Sequence, residues 1–391
     1  MNILTFTTLY PNNMQTRHGV FIEERVRQLN LHDDISFTVV APIPWFPFKI
    51  SKLPKYSIYA DVPSMEERSG ITVHHPRYIV IPKIGMILAP LLLAASTYRA
   101  IRSIKLNEYQ FDIIDAHYFY PDGVAAVIIG RLLNIPVMIT ARGSDINLLS
   151  KYFVPRKLIQ WAARNADKLA TVSKDLKSSL ISLGVEESKI NVFRNGVDLD
   201  KFRPMDRIKI RKRININNPT IISVGNLIEL KGHHLVIEAL IELPDFQLII
   251  VGEGDMRGKL EKLASEYRVS DRVRFMGNVN QEVLVELYNA SDILVLASSR
   301  EGMANVLLEA LACGTPVVAT DVGGNREVIN HMSAGVLVYK RNSNHIATGI
   351  NEVFNRNVTR DDARKYAETL SWTEVTQSIR RSFANMIINR S

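Results

Sequence analysis

Residues 300–324 read REGMANVLLEALACGTPVVATDVGG, and this stretch decides the fold. It contains two carboxylates, Glu301 and Glu309, with seven residues between them. An apolar run at 293–297 precedes it and predicts a buried β-strand, and the residues around Glu309 predict a helix. A strand, a turn with one acid and a helix with a second acid form a pocket at the carboxyl edge of a parallel sheet. Open α/β sheets bind their ligands at that edge.

The alternation of apolar strand runs and helical patterns extends along the whole chain. The predicted strands of the first half are 3–9, 36–41, 71–76, 112–116, 136–141, 169–173 and 190–193. Those of the second half are 220–224, 247–251, 273–277, 293–297, 317–320 and 335–338. Helix starts are predicted at 121–122, Ser173 and Asn280, and a last helix follows Ser371. The rhythm runs twice and predicts an α/β fold with two parallel sheets.

The length of 391 residues predicts two domains, because one hydrophobic core rarely serves more than about 250–300 residues. A charged linker ending in proline, DLDKFRP at 198–204, marks the break, so we predict domains at 1–203 and 204–370. Apolar content of 46% and charged content of 23% are typical of a soluble globular protein. The single cysteine, Cys313, excludes an internal disulfide, fits a reducing compartment and is expected to be a small buried side chain.

The formal net charge of +8 is concentrated in one N-terminal segment. Residues 49–105 carry nine Lys or Arg against three Asp or Glu. A nucleic-acid binder would show interleaved aromatics or a known module, and neither is found, so nucleic acid is not an expected partner. The N-terminal strand run has no basic residue ahead of it, so it is expected to be a first strand rather than a signal peptide. The uncharged run at 84–98 contains Pro90 and is shorter than a span of about 20 residues, so no transmembrane helix is predicted.

Two stretches of this basic segment have the composition of a membrane-surface site. Residues 44–59 (PWFPFKISKLPKYSIY) mix aromatics with three lysines, and 83–105 combine an apolar first part with basic residues at helical spacing. Such stretches bind an anionic leaflet, and each basic residue contributes on the order of 1 kcal/mol. The alternative is a helix that packs inside the first domain with merely solvated charges.

The stretch 300–324 resembles the E-x7-E signature of retaining glycosyltransferases of family 4, whose GT-B architecture has two Rossmann-like domains. The resemblance recurs at 225–232 (GNLIELKG), at 195–198 (NGVD), at His117 and in the loop at Gly19, in the order of the family. It therefore covers nearly the whole chain. It implies a GT-B fold with an N-terminal acceptor domain, a C-terminal nucleotide-sugar domain and a final helix, 371–391, that crosses back onto the first domain.

The family assigns donor-binding roles to both acids. By resemblance Glu301 holds hydroxyls of the donor sugar, and Glu309 accepts from the ribose; ionised carboxylates can accept several hydrogen bonds at once. The alternative for Glu309 is a solvated acid at the edge of an amphipathic helix. The residues that begin the helix lie between the two acids, and they are Gly302, Met303, Ala304 and Asn305. Free N–H groups at the start of a helix favour a phosphate.

A phosphate site is expected at 225–232. Lys231 matches the family cation on the donor diphosphate, and the alternative is an ordinary surface lysine. The family has an arginine where this chain has Asn226, which can donate a hydrogen bond but carries no charge. Arg142 or Arg194 is a candidate for the missing cation.

The first half contributes further candidates. Gly19 lets the backbone approach a phosphate or acceptor closely, or is a simple turn glycine. His117 ends a strand and by resemblance contacts the donor sugar; with Glu301 and Lys231 it forms the predicted catalytic set. The next strand ends in Arg142-Gly143-Ser144-Asp145, where the family often has His-Gly, so Asp145 is a candidate for ordering the cleft or binding acceptor, alongside Arg142.

Recognition of the base is expected from backbone at 252–254 and 274–278, which includes Gly277. The D-x-D pattern of Asp198 and Asp200 falls in the NGVD linker, and no His or Cys cluster has metal spacing, so no metal and no other cofactor is expected.

Together these features predict a retaining glycosyltransferase that uses a nucleotide diphosphate sugar and a lipid-linked or cell-surface polysaccharide acceptor. Its expected place is cytoplasmic, peripheral on the inner face of the plasma membrane. One alternative is a sugar-nucleotide 2-epimerase-like isomerase of the same fold, which would turn over its substrate without acceptor. Another is a non-enzymatic basic membrane or nucleic-acid binder, which leaves the pocket motifs unexplained.

Overall fold

The computed structural model describes residues 1–45, 58–80, 85–107, 110–356 and 359–388. The chain forms two compact units, Met1–Asn195 with Glu374–Ser391, and Gly196–Thr373. The unit boundary therefore lies at 195–196, eight residues before the predicted one. Much of the predicted membrane segment 44–59, including its three lysines, lies outside the described residues, as does Lys83.

The first unit is built on an eight-stranded sheet with the order β10-β9-β8-β7-β1-β2-β5-β4. All neighbours are parallel except β4 and β5. β3 and β6 pair separately as a two-stranded parallel ribbon. The strands are β1 Asn2–Phe6, β2 Ser36–Val40, β3 Ile43–Trp45, β4 Met65–Arg68, β5 Ile71–His74, β6 Arg77–Ile79, β7 Ile113–His117, β8 Val137–Ala141, β9 Lys168–Thr171 and β10 Ile190–Val192.

The second unit has a six-stranded sheet with the order β13-β12-β11-β14-β15-β16, all parallel. Numbered within the unit this is 3-2-1-4-5-6, the Rossmann order, whose ligand crevice opens beside the first and fourth strands. The strands are β11 Thr220–Val224, β12 Gln247–Val251, β13 Val273–Gly277, β14 Ile293–Leu296, β15 Val317–Thr320 and β16 Gly335–Val338. The parallel strands of the first unit follow the same order with one strand added beyond the sixth.

Helices connect the strands of both units. In the first unit they are α1 Val20–Asn30, α2 Gly85–Asn107, α3 Val124–Leu133, α4 Ser144–Asn147, α5 Phe153–Asn165 and α6 Lys174–Ser182. The later ones are α7 Arg207–Arg213, α8 His233–Ala239, α9 Arg257–Glu266, α10 Gln281–Ala290, α11 Asn305–Ala312, α12 Asn325–Val328, α13 Ser343–Asn355, α14 Arg360–Glu368 and α15 Trp372–Ile388. The side chains of Ser173 and Asn280 cap α6 and α10 as the sequence predicts, by accepting from Leu176 N and Val283 N.

The central strands of the two large sheets are buried on both faces, which is why they read as apolar runs. The core of the second unit packs β11, β12 and β14 residues such as Ile221, Ile250 and Val295 against α8 and α13. In the first unit Ile379, Phe383 and Met386 of α15 enter the same core as α1 and the first two strands. The end of the chain therefore belongs to the first unit.

Every predicted strand has a counterpart in the structure, but β1 ends at Phe6 rather than at residue 9. Beyond Phe6, Thr7 N still donates to Val40 O at 3.2 Å, and the hydroxyls of Thr7 and Thr8 bind the carboxylate of Asp122. β3, β4 and β6 were not predicted.

α2 presents one face to solvent. Ile87 and Leu91 are 46% and 58% exposed, and Arg99 and Arg102 continue the same face toward the helix end. Within the described part of the chain, this helix passes for a membrane span by length and composition alone: its window Ile87–Ile104 has a mean hydropathy of 1.2 and is 33% buried. A partly buried core helix meets the same criterion, so the absence of a transmembrane helix stays a prediction.

Candidate active site

The predicted donor residues of the second unit gather at the carboxyl ends of β11 and β14. The loop after β11 carries Asn226 and Lys231, and the loop after β14 carries Glu301. Gly232 makes the junction between them possible. Its φ is +71°, and a Cβ there would lie 2.1 Å from the carbonyl oxygen of Ala297, so only glycine allows this approach.

Lys231 and Glu301 form an ion pair in this crevice. Lys231 Nζ donates to Glu301 Oε1 at 2.6 Å, and Ser298 Oγ donates to the same oxygen at 2.6 Å. The side chains of Lys231 and Glu301 are 22% and 11% exposed. Lys231 is therefore a partly buried partner of the first acid rather than an ordinary surface lysine.

The residues between the two acids form a tight turn that ends in α11. Met303 and Ala304 are buried, and Gly302 O accepts from Gly324 N at 3.0 Å. Ala304 at the N-cap has no side-chain group that could cap the helix. The N-terminus of α11 carries the positive end of the helix dipole, which favours an anion.

Glu309 lies one turn further along α11 and is half-buried. Tyr288 OH donates to Glu309 Oε2 at 2.8 Å, and Tyr288 is completely buried. Burial, reinforced by the Glu309 charge, raises the pKa of Tyr288 well above its ordinary value. The hydroxyl is thus a permanent donor that fixes one oxygen of the carboxylate, and Glu309 is not a freely solvated acid.

The remaining residues predicted to bind the donor lie in the loop after β11 and on the edge strand β13. Asn226 is exposed, and its carbonyl accepts from Ile228 N at 2.8 Å. Gly277 has a φ of +64°, and a Cβ there would lie 2.8 Å from Glu253 Oε1. Arg274 uses its guanidinium to hold the carbonyls of Ile214 and Asn215. Base recognition by this backbone stays a prediction.

In the first unit, His117 ends β7 inside a buried polar cluster. Its Nε2 lies 3.2 Å from Asp115 Oδ2, and Asp115 pairs with Arg25 at 3.2 Å; all three residues are at most 1% exposed. On the opposite side of the ring, Arg142 Nη2 donates to His117 Nδ1 at 2.9 Å. Burial lowers the pKa of His117 to about 3, and Arg142 and Arg25 contribute in the same direction.

Asp145 orders the loops at this edge rather than facing a ligand. Its carboxylate is completely buried and accepts from the backbone N–H groups of Phe119 at 2.7 Å, Gly143 at 2.7 Å and Arg142 at 3.1 Å. Of the two predicted roles, the geometry favours ordering, because no part of the carboxylate is exposed to an acceptor. Burial raises its pKa above the ordinary range.

Gly19 begins α1 with a φ of +78°. A Cβ at this position would lie 2.2 Å from the carbonyl oxygen of Leu9, so the glycine permits close approach of the loop after β1. This contact explains the glycine without a ligand, and its phosphate role stays a prediction.

Sequence reasoning missed several of the residues that support the site. Asp115 left a usable signal, because a charged residue two positions before His117 interrupts an otherwise apolar strand. Ser298 and Tyr288 gave none, since a serine after a strand and a tyrosine on a helix are ordinary. Among the described residues, no three His, Cys, Asp or Glu side chains gather as metal ligands.

Two family models match the chain, "Glycosyltransferase Family 4" over residues 55–201 and "Glycosyl transferases group 1" over residues 205–370. A putative teichuronic acid biosynthesis glycosyltransferase, TuaC of Bacillus subtilis, is 31% identical over 331 residues, which are 83% of this chain and 82% of that protein. A D-inositol 3-phosphate glycosyltransferase of Geodermatophilus obscurus is 29% identical over 350 residues, which are 83% of this chain and 78% of that protein.

Solved structures agree in fold. Sucrose-phosphate synthase from Thermosynechococcus elongatus superposes with a TM-score of 0.80 at 18% identity, and the match covers 99% of each chain. Anabaena HepE in complex with UDP-glucose gives a TM-score of 0.73 at 19% identity over 98% of this chain and 99% of that one. The predicted GT-B fold class is confirmed.

Proposed function

Because this chain belongs to the group 1 glycosyltransferases, we propose that it transfers a sugar from a nucleotide diphosphate sugar with retention of the anomeric configuration. The proposed acceptor is lipid-linked or part of a cell-surface polysaccharide. HepE, which shares the fold, is described in complex with UDP and with UDP-glucose, and this supports a nucleotide-sugar donor.

The observation that carries the proposal is the Lys231–Glu301 pair at the Rossmann crevice of the second unit. A donor offers a diphosphate for the ammonium and sugar hydroxyls for the carboxylate. The two groups hold each other in position before the donor arrives, so little side-chain entropy remains to be lost on binding. Carboxylates accept hydroxyl hydrogen bonds strongly because the acceptor is charged.

Glu309 is proposed to accept from the ribose. Tyr288 occupies Glu309 Oε2, so that the orientation of the carboxylate is set by a buried donor. Such preorganisation improves binding, because the group need not be ordered by the ligand.

Catalysis would then rest on position and charge. Lys231 and the N-terminus of α11 would stabilise negative charge on the departing diphosphate. The resemblance suggests attack from the same face, with the leaving diphosphate helping to take the acceptor proton. A pKa of about 3 keeps His117 neutral at physiological pH, so we assign it no proton transfer and give it a positioning role. We further propose that no metal is required, because Lys231 and backbone N–H groups supply the charge.

A peripheral membrane position on the cytoplasmic face is part of the proposal. The outer face of α2 joins exposed Ile87 and Leu91 to the basic Arg99 and Arg102, a combination suited to an anionic lipid surface. The name of TuaC, a putative teichuronic acid biosynthesis enzyme, supports a polysaccharide acceptor.

A thermal-shift screen with UDP-, GDP- and ADP-sugars tests the proposed function. A donor that binds the folded state raises the melting temperature by mass action. The stabilising donor is then incubated with lipid extract, and the anomeric configuration of the product is read by NMR. An inverted anomer contradicts retention, and turnover of the donor without any acceptor indicates the isomerase instead.

A further inference from the structure

The buried polar cluster at the ends of β7 and β8 contains a cation, Arg142, whose carboxylate neighbours Asp115 and Asp145 act on it only beyond ion-pair distance. Arg25 is paired with Asp115. The guanidinium of Arg142 reaches only neutral acceptors: His117 Nδ1 at 2.9 Å and Asn195 Oδ1 at 3.2 Å. In the part of the chain that the structure describes, no carboxylate lies within ion-pair distance of the Arg142 side chain. The half-buried guanidinium therefore has no direct anionic partner at this sheet edge, and its charge is balanced only at longer range by Asp115 and Asp145.

The nearest alternative counter-ion is already occupied. Asp145 accepts from the backbone N–H groups of Phe119, Arg142 and Gly143, and its bonds to Arg142 go to the main chain. A guanidinium in such surroundings gains most from an anionic ligand, because a partly buried charge is unfavourable until it is paired.

The hydrogen-bond chemistry of the cluster fixes the tautomer of His117. Arginine can only donate, so the Nδ1 atom that faces Arg142 must be unprotonated. The ring proton of neutral His117 is then on Nε2, which faces Asp115 Oδ2 at 3.2 Å. The two atoms are close but are not aligned as a hydrogen bond, so it is the negative charge of Asp115 that favours the tautomer whose lone pair can hold Arg142. The low pKa of His117, caused mainly by burial, keeps that lone pair available.

We propose that Arg142 binds a phosphate oxygen of a substrate, and that Asp115 and His117 are positioning residues that aim its guanidinium. An arginine fork suits phosphate because two N–H groups can donate in parallel. Phe21 packs with its ring centroid 5.4 Å from the guanidinium carbon and helps to fix its plane.

The proposal rests on the proposed function, which brings a diphosphate to the protein. The phosphate has two possible sources, the diphosphate of the donor and a phosphorylated acceptor. Both sources present the phosphate oxygens that Arg142 would bind, and the binding measurements below distinguish the donor from the acceptor.

The first experiment compares the wild-type chain with Arg142→Gln, in which the amide can still donate to His117 but the charge is lost. Both are titrated by calorimetry with UDP, GDP and ADP, and then with inorganic phosphate while saturated with the best nucleotide. Arg131→Gln is the matched control, because Arg131 also lies 5.4 Å from an aromatic ring, that of Trp161, but is exposed.

Loss of a charge-assisted bond predicts an affinity lower by on the order of 10- to 100-fold in Arg142→Gln and unchanged in the control. Weaker nucleotide binding identifies the donor diphosphate as the source. Unchanged nucleotide binding with weaker phosphate binding identifies an acceptor phosphate. Wild-type values for both ligands overturn the proposal.

The positioning role has its own readout in the long-range proton–nitrogen spectrum of the His117 ring. The wild-type protein should show the Nε2–H tautomer, and Asp115→Asn should lose it and weaken the same ligand as Arg142→Gln. If Asp115→Asn does not fold, His117→Gln is used instead. The glutamine amide oxygen can still accept from Arg142, so this variant should retain most of the affinity. An Nδ1–H tautomer in the wild type refutes the positioning claim, whether or not the protein proves to use a nucleotide sugar.

Discussion

Removing Lys231 or Glu301 should destabilise the fold by breaking the same ion pair, but the two variants should differ in how they bind the nucleotide and its sugar. The Nζ–Oε1 distance of 2.6 Å corresponds to a Coulomb energy of about 6 kcal/mol at an effective dielectric constant of about 20. Because the side chains are 22% and 11% exposed, dehydration and solvent screening offset most of this energy. We expect a net coupling free energy of about 1–3 kcal/mol.

The coupling is measured by a double-mutant cycle of Lys231→Met and Glu301→Gln in urea denaturation. The control cycle uses Lys262 and Glu266, a helical pair at 3.4 Å with exposed fractions of 78% and 55%. Its expected coupling is at most about 0.5 kcal/mol. Equal couplings in the two cycles would show that the crevice pair is no more than a surface contact.

The same variants separate the two roles in ligand binding. Lys231→Met should weaken nucleoside diphosphate binding on the order of 10- to 100-fold, since a charged bond to phosphate is lost. Glu301→Gln should bind the nucleoside diphosphate as well as the wild type or better, because it releases Lys231, while losing the extra affinity that the sugar confers. Calorimetry with the nucleotide and its sugar conjugate decides this. If Glu301→Gln loses nucleotide affinity as strongly as Lys231→Met, the division of roles is refuted.

Three further outcomes are expected. Burial raises the pKa of Asp122 to about 7 in the folded protein, so its contribution to stability is present at low pH and is lost as pH rises from about 4 to 7. In Asp122→Asn the urea midpoint of unfolding should therefore depend less on pH across that range. The same pH dependence in the variant and the wild type counts against the raised pKa. Activity should survive EDTA at millimolar concentration, and activity restored only by added metal would disprove the metal-free proposal. Flotation with anionic liposomes should fall after Arg99→Gln with Arg102→Gln and after Leu91→Glu, and should stay unchanged for Lys262→Met; equal flotation of all variants discards the α2 face.

The sequence specified the second unit almost completely, because each buried parallel strand must be apolar along its whole length. The strands that escaped prediction belong to the first unit and lack that signature. β4 (MEER) is largely polar and pairs antiparallel at the sheet edge. β3 contains a proline, and both β3 and β6 have only three residues. Such segments become strands only because a neighbouring strand offers backbone partners.

In the candidate site, too, some residues were predicted from the sequence and others were not. Glu301, Lys231 and Glu309 were predicted as donor-binding residues from the family resemblance, and they do lie at strand ends or on the helix that follows; their roles stay predictions. Their partners could not be predicted: Ser298 stands three residues from Glu301 but is an ordinary serine in sequence, and Tyr288 reaches Glu309 only through the packing of α10 against α11. Asp145 shows the limit of reading a residue type alone: an acid at a strand end can serve the backbone of its own loops instead of a ligand.

The nucleotide affinity of Glu309→Ala tests the central claim most directly. The donor nucleotide identified by thermal shift is titrated into the wild type, Glu309→Ala and Tyr288→Phe, with the unfolding free energy of each protein measured in parallel. The account predicts a loss on the order of 10- to 100-fold for Glu309→Ala, since a charged acceptor for the ribose is removed. It predicts a smaller loss for Tyr288→Phe, which keeps the carboxylate but releases its orientation. Wild-type affinity in a folded Glu309→Ala protein would contradict the assignment of this crevice as the donor site.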